Sequence, residues 1–188
     1  MFAKLEETPQ QYLNRLFLDI PRGSNEEENK FEQIILPVLE NKDVMSLCHI
    51  PHHHHINRLL HCLHVSYHCF LTAYRHQWDY KSAAIGGLLH DFCFYNIGKN
   101  PGKGFKNLWC FYHPLNALEE AEKRFDLNEK EKDIISKHMF PVAFSFPKYK
   151  ETYAVIYWDK FCATKELLNN RLHPPVKQVD VGERSGLP

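Results

Sequence analysis

Apolar residues recur at helical spacing along most of the chain. The clearest segment, about 56–76, has an apolar residue every three or four positions, as expected for an amphipathic helix that packs against a core. These positions are Ile56, Leu59, Leu60, Leu63, Tyr67, Phe70, Leu71 and Tyr74. A second segment, about 80–94, is apolar on nearly all sides, which is typical of a helix at the centre of a core. Further helices are predicted over 10–20, 26–39, 113–125, 129–139 and 151–170.

Helix-starting and helix-breaking residues support this division. Residues 21–25 contain Pro, Gly, Ser and Asn and separate the first two helices. Pro114 suits a helix first turn, and Asn128 suits an N-cap. No alternating pattern of useful length is present, although residues 152–158 (TYAVIYW) have strand propensity. The pattern therefore predicts an all-α, bundle-like single domain.

The length of 188 residues also favours one domain with short appendages. We expect an N-terminal helical extension over 1–50, a central helical domain over 51–170 and a flexible C-terminal tail over 171–188. Residues 96–107 (NIGKNPGKGFKN) predict a loop that could close over a site or recognise a substrate.

Charge and composition exclude several classes of protein. Lys plus Arg and Asp plus Glu each total 23, so the net charge is zero and neither an extended nucleic-acid surface nor a polybasic membrane anchor is indicated. No apolar run approaches the ~20 residues of a membrane span, and the first residues are too polar for a secretory signal. The six cysteines form no CxxC pair, so we expect reduced thiols and a cytoplasmic protein.

Histidine is the exceptional residue type, with 13 in the chain. His90 and Asp91 are adjacent within AIGGLLHDFCF, in the middle of the most apolar predicted helix. Burying a carboxylate there is costly unless it is paired, and a metal ion would satisfy both side chains at once. The alternative is an Asp that hydrogen-bonds to a neighbouring turn beside a core histidine.

Two further polar residues sit in apolar helical segments on either side of this pair in the chain. They are His61 in RLLHCLHV and Asp159 in AVIYWDKF. Together with His90 and Asp91, they would form a His, His, Asp, Asp cage built from three helices. Imidazole and carboxylate ligands suit Fe(II), Mn(II), Zn(II) and similar ions.

The order and spacing of these residues resemble the HD-domain superfamily of metal-dependent phosphohydrolases. The resemblance covers roughly residues 50–165 and is carried by HCLHV, LLHDF and WDK. It implies that His61, His90, Asp91 and Asp159 hold a first metal ion, with His90 and Asp91 as the catalytic pair.

In family members with two metals, additional histidines occur between the HD pair and the last Asp. His113 and His138 lie in that interval, so the resemblance implies that they hold a second ion, with Asp91 bridging both ions. The alternatives are a solvent-facing helix start for His113 and an exposed helix end for His138. The segments LLHDF, YHP, EKDIISKHM and DKFCATKE also resemble small bacterial HD-family proteins.

Other histidines offer competing sites. His64 and His68 have the i, i+4 spacing of paired zinc ligands, but the Glu of an HExxH motif is absent. The family places a Val four positions after its first ligand, which favours His61, with Val65, over His64. The run His52–His55 is either a metal-binding tract or a solvated segment before a helix, and one of its residues, His53, could line the cleft.

The resemblance implies a hydrolase that cleaves a phosphomonoester or phosphoanhydride of a nucleotide or small phosphate ester. Its cofactors would be one or two divalent ions, Fe, Mn, Zn or Mg. Candidate substrate-binding residues are Arg58, Lys99, Lys106, Lys160 and His53. The residues after the HD pair, FCFYN, lack the motifs of the cyclic-dinucleotide and ppGpp branches, so those substrates are not implied.

Two further hypotheses belong to other classes. The domain could bind a metal or nucleotide as a sensor or interaction module without turnover. It could also be a purely structural helical protein in which the histidines are incidental.

Overall fold

The chain is described by a computed structural model that covers residues 7–20, 23–52, 56–94, 109–143 and 145–172, without the side chains of 109, 110 and 169–172. The helices, in chain order, are α1 (Pro9–Asp19), α2 (Asn25–Leu39), α3 (Lys42–Ser46), a short 3-10 helix (Leu47–His49), α4 (Arg58–Arg75), α5 (Tyr80–Leu89), α6 (Trp109–Glu122), α7 (Glu129–Lys137) and α8 (Lys150–Leu172). Within these ranges the only β pairing is an isolated bridge between Pro51 and Asn57. The predicted all-α single-domain fold is confirmed.

Side-chain caps define where several helices begin. The side chains of Thr8, Ser24 and Asn128 each accept a hydrogen bond from the third backbone N–H of their helix. The backbone N–H of each cap in turn donates to the Gln or Glu side chain at that third position. Such caps contribute about 1 kcal/mol each to helix stability. The prediction of Asn128 as an N-cap is confirmed.

Helix α4 lies at the centre of the fold and packs against α5 and α8. The contact with α5 is close because Gly87 faces the backbone of Ser66: a Cβ atom on Gly87 would lie 3.0 Å from the Ser66 Cα. The Ser66 hydroxyl also donates to the Ala84 carbonyl over 2.7 Å, which ties the two helices together.

The N-terminal helices share this core. Phe31 of α2 is fully buried and packs edge-on against Tyr67 of α4, with ring centroids 5.0 Å apart. Leu13 and Leu16 of α1 belong to the same cluster of buried side chains. Apolar side chains from both sides of residue 50 therefore form one core, and the division at that point stays a prediction.

Two predicted helix boundaries are wrong. Helix α5 ends at Leu89, so His90 is its C-cap and Asp91 lies beyond the helix rather than in its middle. The apolar pattern continues to Phe92 because that side chain is also buried, so periodicity did not reveal the end. Helix α6 begins at Trp109, which places Pro114 and His113 inside it rather than in a first turn.

The segment with strand propensity, 152–158, is helical and lies in α8. The buried side chain of Val155 packs with Val65 and Ala83 there, and this tertiary contact outweighs the local preference. None of the described helices is both long enough and apolar enough to cross a bilayer. The predicted tail falls mostly in 173–188, outside the described residues.

Candidate metal centre

The fold brings the six predicted ligands together from five places in the chain. They are His61 on α4, His90 and Asp91 at the end of α5, His113 on α6, His138 at the end of α7 and Asp159 on α8. Five are buried, and the Asp159 side chain is 16% exposed. Their ligand atoms form two groups, each with all atoms within 4.8 Å of one another. We name them the His61 group (His61, His90 and Asp159) and the Asp91 group (Asp91, His113 and His138).

In the His61 group, two imidazole nitrogens face one carboxylate oxygen. Asp159 Oδ1 lies 3.3 Å from His61 Nε2 and 3.7 Å from His90 Nε2. His90 Nδ1 donates to the Gly87 carbonyl over 2.7 Å, so the lone pair of the neutral ring is at Nε2. This Nε2 atom is buried and has no hydrogen-bonding partner among the described residues. It is therefore oriented as a ligand.

In the Asp91 group, two imidazoles converge on a buried carboxylate. Asp91 Oδ1 lies 3.4 Å from His113 Nε2 and 3.7 Å from His138 Nε2, and the two nitrogens are 2.7 Å apart. His138 Nδ1 donates to the Ile135 carbonyl over 2.9 Å, which again leaves Nε2 as the lone-pair nitrogen of the neutral ring. The His90 and His138 ring centroids are 5.0 Å apart, so the two groups adjoin.

The electrostatics of the site favour carboxylates that stay ionised. Burial raises the pKa of Asp91, but the nearby histidines lower it by a larger amount, so the net pKa lies well below its ordinary value. These histidines are His90, His113, His138 and His52. Burial also opposes ionisation of Asp159, yet the hydrogen bond from His61 and the nearby imidazole of His90 hold its pKa well below its ordinary value.

The histidines differ in their protonation. Burial and the neighbouring rings of His113 and His90 lower the pKa of His138 to about 3, so this ring is neutral and able to coordinate at neutral pH. Burial lowers the pKa of His61, but the Asp159 and Glu166 carboxylates on either side raise it to about 10. A cation bound at His61 Nε2 would therefore displace a proton.

The residues present fit a bound metal ion. His90 Nε2 and Asp91 Oδ1 are buried and lack a hydrogen-bonding partner among the described residues, which is costly in a protein interior. A cation between the ligand atoms of each group would satisfy them. The donor set of imidazoles and carboxylates is the one that Fe(II), Mn(II) and Zn(II) take. These buried clusters of His and Asp could hold a metal ion.

The predicted substrate-binding residues occupy different places. Lys160 is half-exposed beside the centre: its ammonium donates to the His138 carbonyl over 3.3 Å and lies 3.6 Å from Asp159 Oδ2. Arg58 is fully buried, and its guanidinium donates to the carbonyl and the thiol of Cys93. Arg58 therefore braces the chain just after Asp91, and its role in substrate binding stays a prediction. Lys99, Lys106, His53 and the loop 96–107 lie outside the described residues.

Sequence reasoning missed two neighbours of His61. Glu166 Oε1 lies 2.9 Å from His61 Nδ1, and the His52 ring lies over the His61 ring with centroids 4.0 Å apart. Glu166 follows Asp159 by two helical turns, and this spacing was a usable signal. His52 belongs to the histidine run in which the sequence favours His53 as the residue that lines the cleft.

The competing pair on α4 lies outside the metal-binding groups of the described residues. His68 stacks on Trp158 with ring centroids 4.3 Å apart, and burial lowers its pKa to about 4. His64 Nδ1 lies 4.0 Å from Glu166 Oε1. Neither side chain joins the His61 or the Asp91 group.

Comparison of this chain with protein-family models, with curated proteins and with solved structures found no match. The site is therefore assigned from its own geometry.

Proposed function

We propose that this chain is a metal-dependent phosphohydrolase of the HD type, which cleaves a phosphomonoester or phosphoanhydride of a nucleotide or small phosphate ester. The observation that supports this proposal most is the pair of adjoining ligand groups joined at His90 and Asp91. Paired metal sites built from imidazoles and carboxylates are typical of hydrolases that act on phosphate esters.

His61, His90 and Asp159 would hold one divalent ion, and Asp91, His113 and His138 would hold the other. When bound, such ions lower the pKa of water so that it can attack phosphorus, and they offset charge on the phosphoryl oxygens. The resemblance to HD domains also gives Asp91 a bridging role between the ions, which is part of the proposal.

The chain supplies a cation at the rim of the proposed site. The Lys160 ammonium lies beside Asp159 and reaches the His138 carbonyl, so it sits near both ligand groups while 45% of its side chain remains exposed. An ammonium in this position can contact a phosphate oxygen without leaving solvent. Lys160 is therefore the described residue that we propose for substrate binding.

The test combines metal analysis with a phosphatase panel on wild type and Asp91→Ala. We expect one or two bound divalent ions and phosphate release by the wild type, with both reduced in Asp91→Ala. Asp126→Ala is the matched control, because Asp126 is exposed on the surface and apart from both groups. Full activity in Asp91→Ala would overturn the catalytic assignment.

The panel uses nucleoside mono- and polyphosphates and small phosphate esters, each with Mn(II), Fe(II) and Mg(II). Calorimetry of the same nucleotides separates turnover from binding alone. Nucleotide binding with no product after long incubation would show that the chain acts as a sensor or interaction module rather than as an enzyme.

A further inference from the structure

His61 is held from both sides by one helix. Asp159 and Glu166 are seven positions apart on α8, so their side chains lie on the same face two turns apart. The His61 ring lies between them, with Nε2 3.3 Å from Asp159 Oδ1 and Nδ1 2.9 Å from Glu166 Oε1. The two ring nitrogens therefore face two different carboxylates.

These two contacts have different chemical consequences. The Nε2 atom faces Asp159, which belongs to the His61 group, so it is the nitrogen that an ion in this group would take. A ligating imidazole usually donates its other N–H to a carboxylate or carbonyl, which fixes the tautomer and the ring orientation. Glu166 Oε1 lies at hydrogen-bond distance from that second nitrogen.

Glu166 is itself largely buried. Its side chain is only 10% exposed, and Oε1 also lies 4.0 Å from His64 Nδ1. A largely buried carboxylate has fewer accessible orientations than an exposed one, so it can orient its neighbour more strictly.

We propose that Glu166 is a positioning residue of the metal centre: it accepts a hydrogen bond from His61 Nδ1–H and thereby presents Nε2 to the ion of the His61 group. The inference rests on the metal centre of the proposed function. Glu166 does not coordinate the ion in this arrangement, and the Asp91 group does not depend on it.

The alternative is that Glu166 is itself a metal ligand. His52, His61 and Glu166 could hold a further ion, because their ligand atoms also lie within 4.8 Å of one another. That ion would need His61 Nδ1. An imidazole that coordinates one ion through each nitrogen must lose both ring protons, whereas the hydrogen bond to Glu166 needs no such loss. The number of bound ions distinguishes the two arrangements.

The test measures metal affinity and stoichiometry with Zn(II), using a competing chelator, for wild type, Glu166→Ala and Glu166→Gln. We expect Glu166→Ala to weaken one of two bound ions 10- to 100-fold, which is the usual effect of removing an orienting partner. Glu166→Gln should weaken the same ion less, because its amide oxygen still accepts from Nδ1–H. The second ion should keep its affinity within about twofold.

Glu122→Ala and Glu122→Gln are the matched controls, because this carboxylate lies on the surface of α6 and pairs with Lys132. Nitrogen-15 spectra of the zinc-loaded protein give a readout independent of activity. They should show the His61 ring protonated only at Nδ1 in the wild type and altered in Glu166→Ala.

Unchanged affinity for both ions in Glu166→Ala would overturn the inference and leave the proposed function intact. If that variant does not fold, Glu166→Gln decides, and affinity and His61 resonances identical to those of the wild type would overturn the inference. If the wild type binds three equivalents of zinc and Glu166→Ala binds only two, Glu166 is a ligand of a further ion and the inference is overturned. A wild type that binds no ion would overturn the inference and the proposed function together.

Discussion

The Nε2 atoms of His113 and His138 lie 2.7 Å apart, next to the buried carboxylate of Asp91. His138 already donates through Nδ1 to the Ile135 carbonyl, so its neutral ring offers a lone pair at this contact. Two imidazole nitrogens this close share either a proton or a cation. The Asp91 group is therefore expected to gain stability when an ion binds.

Removing bound metal should lower the melting temperature. An ion at 100 times its Kd adds about 2.7 kcal/mol to folding, because it binds only the folded chain. For a protein of this size, this corresponds to roughly 5–10 °C in Tm. Thermal melts with and without EDTA provide the measurement. The shift should be smaller in His113→Ala and unchanged in the Asp126→Ala control, and equal wild-type melts with and without EDTA would contradict the metal centre.

Gly87→Ala should destabilise the fold. The added Cβ would lie 3.0 Å from the Ser66 Cα, and the backbones of α4 and α5 have to separate to admit it. This strain outweighs the gain of about 1 kcal/mol in helix propensity, so we expect a net loss of about 1 kcal/mol in the free energy of unfolding. Urea denaturation measures it. The control is Lys81→Ala, an exposed position on the same helix, and a Gly87→Ala protein as stable as the wild type would contradict the close packing.

Asp133→Ala should also lower stability. The buried Asp133 carboxylate on α7 accepts hydrogen bonds from the Lys148 N–H over 3.0 Å and from the Thr152 hydroxyl over 2.7 Å. Hydrogen bonds to charged groups are the stronger class, so their loss should cost about 2–3 kcal/mol of unfolding free energy. Chemical denaturation of this variant beside Asp126→Ala tests the expectation, which a loss below about 0.5 kcal/mol would contradict.

Protonation of Glu27 should lower the stability of the fold in acid. Hydrogen bonds from Arg75, over 2.8 and 3.1 Å, and from the Ser24 N–H outweigh burial and lower the pKa of Glu27 from 4.5 to about 2. The unfolded chain thus takes up a proton at higher pH than the folded one. The contribution is complete above about pH 4.5 and is lost as the pH falls towards 2.

Arg75→Gln measures this effect. Because the Arg75 side chain is 57% exposed, we expect its removal to cost only about 0.5–1 kcal/mol at pH 7. The difference in unfolding free energy between the variant and the wild type should shrink as urea denaturation is repeated from pH 5 down to pH 2.5. A difference that stays constant over this range would show that the ionisation of Glu27 is not responsible.

The hydrophobic pattern predicted much of the helical architecture because long helices with one buried face leave a clear period. Helices α4, α7 and α8 begin and end within about two residues of their predicted bounds. The end of α5 escaped prediction because burial continues through Phe92 after the helix stops. A local pattern records burial, not backbone hydrogen bonding.

The candidate site was partly accessible from sequence. Polar residues inside apolar segments revealed His61 and Asp159, since such positions are costly without a partner. The sequence did not reveal that the guanidinium of Arg58 is buried and donates to Cys93, and its role in substrate binding stays a prediction. The spacing of Glu166 from Asp159 placed it on the same face of α8, but the sequence alone did not show which ring nitrogen of His61 it contacts.

His90 and Asp91 are consecutive residues, yet each serves a different ligand group. Their Cα atoms are about 3.8 Å apart because a single peptide unit joins them. Covalent bonds therefore limit the distance between these two ligands of the two groups, whereas the other four ligands lie on or at the ends of separate helices. A displacement of α6 would move a ligand of the Asp91 group, and a displacement of α8 would move a ligand of the His61 group. Neither displacement changes the Cα–Cα distance between His90 and Asp91, because one peptide unit sets it.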